Sequence, residues 1–351
     1  LAESATAGAT SAGNVATLNR VILPVIRRVM PTVIANELVG VQPMTGPVGQ
    51  IHTLRVRYAD NFTSTAGTSV TAGEEALSPF KIAEGYSGSA NDKAASTAAL
   101  EGRAGNRLSI QILKQTVEAK TRKLSARWTF EAAQDAQAQQ GIDIEAEIMA
   151  ALAQEITAEI DQEVIASLNS LAGTVLTYDQ SVLSGVATFV GDEHAALAVQ
   201  INRAANLIAQ RTRRGAGNYA VVSPTTLTLL QSATTSAFAR TTEGTFEAPT
   251  NTKFVGTLNS AMKVYVNAYS TSDDVLIGYK GTSESDAPAF YCPYIPLMSS
   301  GVVLDPSTFE PVVSFMTRYG YVELTNTASS LGNAADYLAK VTVTSANLRF
   351  A

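Results

Sequence analysis

Residues 143–172 read DIEAEIMAALAQEITAEIDQEVIASLNSLA, thirty residues without Gly or Pro and dominated by Ala, Glu, Ile and Leu. That composition predicts one helix of about 45 Å. Asp143 stands where an N-cap belongs, and Glu145 and Glu147 put negative charge in the first turn, where the helix dipole favours it. Gly173 closes the run. The apolar row Ile144, Ile148, Leu152, Ile156, Ile160, Val164, Leu168 repeats every four residues. Each step advances about 400°, so the row drifts about 40° per step and winds most of the way around the helix. One flat partner cannot cover such a row. Two layers are expected, one at each end, with the helix as a spine between them.

The rest of the chain divides around this spine. Residues 1–19 are small and polar and read as an extended arm. Residues 20–39 show helical spacing interrupted by Pro24 and Pro31, giving two short helices that stop at Gly40. A turn at Gly46–Gly49 precedes a strand over 51–58. Residues 60–107 hold few large apolar side chains, so they predict a projecting loop that needs a partner. Ile110, Ile112, Val117, Leu124 and Trp128 mark returning strands. After the spine come a hairpin at 174–190, a helix at 193–214, a strand at 219–222, a helix at 224–232 and a loop-like stretch at 233–260. Strands are expected at 262–268, 274–279, 288–303, 311–323 and 338–347. The order is that of an α+β chain.

The 351 residues are 46% hydrophobic and only 16% charged, with 31 acids against 25 bases. Soluble domains average about 25% charged, so much of this surface is expected to be covered by other chains. A net charge of −6 lacks the basic excess of a dedicated nucleic-acid binder. No segment has the roughly 20 apolar residues of a bilayer span. Charge is also segregated. Residues 129–202 carry 12 acids and no Lys or Arg, whereas 103–127 carry seven bases against Glu118. Two solvated faces would explain that. Complementarity between copies would too: Arg107, Lys120, Arg122, Lys123 and Arg127 of one copy would meet Glu147, Glu155, Glu159 and Glu163 of the next.

Enzyme chemistry finds little material. There is no phosphate-cradling GxxxxGK[ST], no HExxH, no CxxC and no EF-hand spacing. Gly215–Ala220 matches GxGxxA by letters but precedes a strand, so no helix N-terminus would meet a phosphate. Asp192, Glu193 and His194 stand at a helix start and read as caps before they read as ligands. Cys292, the single cysteine, lies between Tyr291 and Pro293 without a local base and reads as buried. No catalytic residue, cofactor or metal site is assigned.

Three stretches together resemble the major capsid proteins of tailed bacteriophages of the T-even-like myovirus type. They are Leu23–Pro31 continuing through Leu38–Gly49; Val117–Leu124 with Trp128–Asp135 and Gly141–Glu147; and Tyr291–Leu297 with Leu304–Pro311 and Phe315–Gly320. The resemblance implies the Johnson fold, the Hong Kong phage-type capsid fold. Its parts would be an N-terminal arm with short helices (1–49), an extended loop with basic return strands (50–128), a peripheral domain holding the spine (129–190), an axial domain (191–287) and return strands of the peripheral domain (288–351). It implies a non-enzymatic subunit that self-assembles into hexameric capsomers of an icosahedral head around packaged double-stranded DNA. Extended loops would lie over neighbouring spines. Vertex, portal, scaffold and prohead protease proteins would be assembly partners, DNA contact would be non-specific, and no membrane is involved. Localisation would be the virion, assembled in the host cytoplasm. The family's protease removes an N-terminal peptide after a glutamate. A start without Met agrees with such processing, and Leu1-Ala2-Glu3-Ser4 resembles its recognition pattern, so that either the chain begins near the cut or a cut falls after Glu3. The pentameric vertex protein of the same fold, a cellular nanocompartment shell and a secreted adhesin or filament are the rival readings.

Overall fold

A computed structural model of the chain describes residues 34–65, 67–76, 82–89, 91, 94–179, 190–232, 238–240, 254–259, 261–324 and 333–344. The arm at 1–19, the first short helix, Glu3, most of the second half of the expected hairpin and most of 233–253 lie outside these residues. In chain order the elements are α1 (Ala35–Leu38), β1 (Gly40–Val41), β2 (Val48–Tyr58), α2 (Thr97–Leu100), β3 (Leu108–Glu118), β4 (Lys120–Arg127), α3 (Phe130–Gln140), α4 (Ile144–Leu171) and β5 (Thr174–Asp179). There follow α5 (Val190–Thr212), β6 (Tyr219–Val222), α6 (Pro224–Ser232), β7 (Phe238–Arg240), β8 (Phe254–Leu258), β9 (Met262–Val266), β10 (Val275–Gly278), β11 (Ala289–Ser299), β12 (Val303–Leu304), β13 (Pro311–Glu323) and β14 (Leu338–Thr344).

The spine α4 matches its expected span within one residue at each end. Asp143 caps it, accepting the backbone N–H of Glu145 (3.1 Å) and Ala146 (3.4 Å). The drifting apolar row meets two layers, as its geometry requires. Leu152 and Ile156 pack with Val313 and Phe315 of β13, joined by Leu124, Ala126 and Trp128. Val164, Ile165 and Leu168 pack instead with Tyr219, Val221, Tyr265, Leu276 and Leu338.

Those two layers are separate sheets. The five-stranded sheet runs β1-β11-β13-β12, with β4 also paired to β13. The seven-stranded sheet runs β5-β14-β10-β6-β9-β8-β7. Its strands alternate with period two, so each face finds its own cover. Ala220, Val222, Val264, Ile277, Ala339 and Val341 face α5 and α6. Tyr219, Val221, Leu276 and Leu338 face the spine.

The structure differs from two expectations, the place of strand 338–344 and the role of two glycines. Strand 338–344 pairs with β10 and β5, not with the return strands at 289–323. The first half of the expected hairpin, β5, lies parallel to β14, and the second half lies outside the described residues. Gly40 and Gly173 do not act as left-handed helix stops. Gly40 is the first residue of β1, and a Cβ there would collide with the Glu284 carbonyl oxygen. A Cβ at Gly173 would strike Ala335, whose carbonyl accepts the Gly173 N–H at 3.1 Å. Both positions are glycine because two backbones approach closely.

Candidate assembly surfaces

β2 and β3 form a two-stranded antiparallel ribbon of eleven residue pairs, from Val48↔Glu118 to Tyr58↔Leu108. Odd-numbered residues near its root turn inward: Ile51 and Val117 join Ala287, Phe290, Cys292 and Val322 in a small core. Arg55, also inward, pairs with Glu75 at 2.8 Å. On the other side His52 and Leu54 of β2 and the even-numbered residues of β3 face out, whereas Val56 and Tyr58, farther along β2, are covered by the loop's own core. Leu54 stands opposite Ile112, and Val56 opposite Ile110. Leu54 is 64% exposed, Ile110 69% and Ile112 66%, with Leu108 also bare. An apolar stripe on a free-standing ribbon is an unfinished interface. The period-two run Leu108, Ile110, Ile112, set opposite Leu54, carries the signal of this stripe in the sequence.

The loop beyond the ribbon differs from its expectation. It gathers a core of its own: Tyr58, Val70 and Ala76, with Phe62, Ala83 and Tyr86 against them. The Tyr58 and Tyr86 rings meet edge-on at 4.8 Å. Arg107 closes the loop on Asp60, whose carboxylate accepts the Arg107 backbone N–H (2.7 Å) and the Nη2 group (2.9 Å). These hydrogen bonds hold the Asp60 carboxyl below the ordinary carboxylate range. A cleft of about 560 Å³, lined in part by Arg55, Glu75, Arg211, Arg214, Asp286 and Tyr337, lies beside the ribbon's inner face.

The basic strand β4 sorts its charges by alternation. It pairs antiparallel with β13, so Ala126 stands beside Val313 and Leu124 beside Phe315, both facing the spine. Arg122 shares that face. Its guanidinium reaches Glu159 and Glu163 of the spine in the same subunit and donates from Nε to Tyr319 Oη at 2.6 Å. Tyr319 in turn donates to Glu163. The expected contact of Arg122 with a neighbour's Glu159 and Glu163 is therefore corrected: the sheet lies directly against the spine, and the pairs close within one chain. Burial alone would raise the Glu163 carboxyl. Hydrogen bonds from Tyr319 and Arg122, and the charges of Arg122 and Lys120, outweigh it and hold Glu163 below its usual value. Burial and the hydrogen bond to Glu163 push Tyr319 up to about 12.

The other candidates separate accordingly. Lys120 lies near Glu163, and Arg107 is engaged with Asp60. Lys123 and Arg127 point to the opposite face of the sheet, Arg127 lying 3.9 Å from Glu310 of its own chain. Glu155 is exposed on the spine and Glu147 half-buried.

A residue that sequence reasoning missed sits at the middle of the spine. Asp161 is 1% exposed, and its Oδ1 accepts the N–H groups of Ile34 (2.8 Å) and Ala35 (2.6 Å). It caps α1 across 126 residues of sequence and fixes where the N-terminal segment joins the body. Nothing in the sequence distinguishes it from the exposed Glu159 and Glu163 on either side.

The weaker chemical motifs resolve into structure. Cys292 is buried, and burial pushes its thiol up. Gly215–Ala220 leads into β6. Glu193 and His194 are not caps, since α5 begins at Val190; both are buried, and His194 Nδ1 contacts Ser232 Oγ. Among the described residues no cluster of His, Cys, Asp and Glu could hold a metal ion. No described helix is long and apolar enough to cross a membrane.

A long spine between two sheets, with an arm-like ribbon thrown out from one of them, is the fold of this chain. Solved capsid structures share the whole architecture. The capsid protein of cyanophage P-SCSP1u superposes with a TM-score of 0.57 at 11% identity, covering 97% of each chain. That of bacteriophage PhiM1 gives 0.57 at 12% identity, covering 98% of each. At the level of sequence, the family described as Major capsid protein Gp23 matches residues 15–343. The major capsid protein of Vibrio phage KVP40 is 30% identical over 94% of this chain and 81% of its own length. That of Enterobacteria phage T4 is 30% identical over 90% and 76%. The chain belongs to the Gp23 major capsid protein family. It is a structural subunit of the virion shell, it associates with itself, and it is not an enzyme.

Proposed function

We propose that this subunit builds the shell as hexameric capsomers around packaged double-stranded DNA, with the ribbon of each copy lying over a neighbour. The observation that carries this is the outward stripe of Leu54, Ile110 and Ile112, which the chain's own body leaves bare. Burying one such side chain contributes about 1.5–3 kcal/mol, so the stripe alone outweighs any single surface ion pair at about 0–1 kcal/mol. Contacts through ribbon and sheet edges to different neighbours then reinforce one another, because each holds the next at high effective concentration. The remaining charges, Lys123, Arg127 and Glu155 among them, set register and encounter rate.

Vertex, portal, scaffold and prohead protease proteins complete the assembly in this reading, and the protease cuts after Glu3 in the pattern Leu1-Ala2-Glu3-Ser4. The test is electron microscopy of particles from the full chain and from Leu54→Ser/Ile112→Ser. Closed shells of six-fold capsomers from the wild type, and none from the folded variant, are expected. Wild-type shells matched in yield by the variant would remove the ribbon from the mechanism.

A further inference from the structure

The alternation of β4 leaves Lys123 and Arg127 on the face of the five-stranded sheet away from the spine. Register places Met316 beside Lys123 and Val312 beside Arg127, and extends the face to Met298 and Val303. Met298 and Val303 are exposed. Arg127 remains 68% exposed despite Glu310 at 3.9 Å. This face mixes these apolar side chains with Ser125 and Ser314 and is edged with positive charge, and no described helix lies over it.

Helix α3 is its complement. It is exposed on most sides and turns Ala133 and Ala136 toward cover. At 100° per residue, Glu131, Asp135 and the small Ala138 fall on the side opposite those two alanines. The helix carries no Lys or Arg. It contacts α4, on the spine side of the sheet, so it is turned away from Lys123 and Arg127 of its own chain.

We infer that the acidic side of α3 from a second copy docks on this basic sheet face. The inference rests on the shell reading above and names a contact within it. Two different patches of one chain meeting in this way make a head-to-tail interface, which closes into a ring when the rotation permits. Both patches are offered by every copy, so one contact type is sufficient for a ring.

Two charge reversals test it: Lys123→Glu/Arg127→Glu and Glu131→Lys/Asp135→Lys. All four side chains are exposed, so both variants should fold by circular dichroism, with Glu131→Lys/Asp135→Lys melting slightly lower because Glu131 lies in the first turn of α3. Each variant alone should need at least ten times the wild-type concentration to form particles. An equimolar mixture should assemble as the wild type does, because each reversed face then meets a reversed helix. The fourfold variant in one chain should also assemble. Wild-type protein that forms no particles would sink the shell reading and this contact together. Wild-type particles matched by Lys123→Glu/Arg127→Glu alone, or two defective variants that fail to rescue each other, would overturn the contact and leave the shell reading standing.

Discussion

The seven-stranded sheet and the β2–β3 ribbon are both rich in Val, Leu and Ile, yet only the first is finished by its own chain. Every residue of β6 and β10 is buried, because α5 and α6 close one face and the spine closes the other. The ribbon has one covered face at its root and an opposite face bare at Leu54, Leu108, Ile110 and Ile112. Identical local chemistry thus supports folding in one place and association in the other. The difference lies in whether a second layer is available within the chain.

That contrast can be broken by substitution, with effects on folding stability that fall from the sheet to the ribbon. Leu229→Ala or Ile277→Ala opens a cavity in the sheet's helix-covered core and should cost about 2–5 kcal/mol, read as a lowered denaturation midpoint. Asp161→Ala strips the acceptor from two buried N–H groups at α1 and should cost about 2–3 kcal/mol. Limited proteolysis near residue 34 should accelerate in parallel.

Arg122→Gln should cost about 1 kcal/mol or less, since its carboxylate partners are half exposed. Its signature is the pH profile. Glu163 has a folded pKa below its usual value of 4.5, so its stabilisation is complete above that value. It fades as pH falls through the lowered folded value. Acid titration followed by fluorescence should therefore show a steeper loss for the wild type than for Arg122→Gln below about pH 4.5. Equal slopes would show that the network does not hold Glu163. Last, Leu54→Ser/Ile112→Ser should change the unassembled chain's stability by about 0.5 kcal/mol or less, while removing particles from sedimentation profiles.

The spine and its two covers were legible because they follow from local pattern. A run without Gly or Pro, an Asp cap and a four-residue apolar spacing carry their own geometry. The extended ribbon and the burial of Cys292 were legible for similar reasons. What escaped depends on pairing distant segments. Strand 338–344 has the same alternation whichever sheet it enters, and its place beside β10 is decided by Val275↔Val341 register. Arg122 was grouped with Lys123, although one residue of shift along a strand sends a side chain to the opposite face. Asp161 is one of twelve acids between 129 and 202, and only the packing of α1 against it sets it apart. The glycines at 40 and 173 suit helix ends by composition, and only the approach of Glu284 and Ala335 explains them.

The central claim is that the ribbon's bare side is completed by another molecule of the same chain. Electron cryo-microscopy of assembled particles tests it directly. The account predicts Leu54, Ile110 and Ile112 buried against an adjacent subunit around every six-fold centre. Well-formed shells in which these three side chains stay in solvent, or fold back on their own subunit, would contradict it.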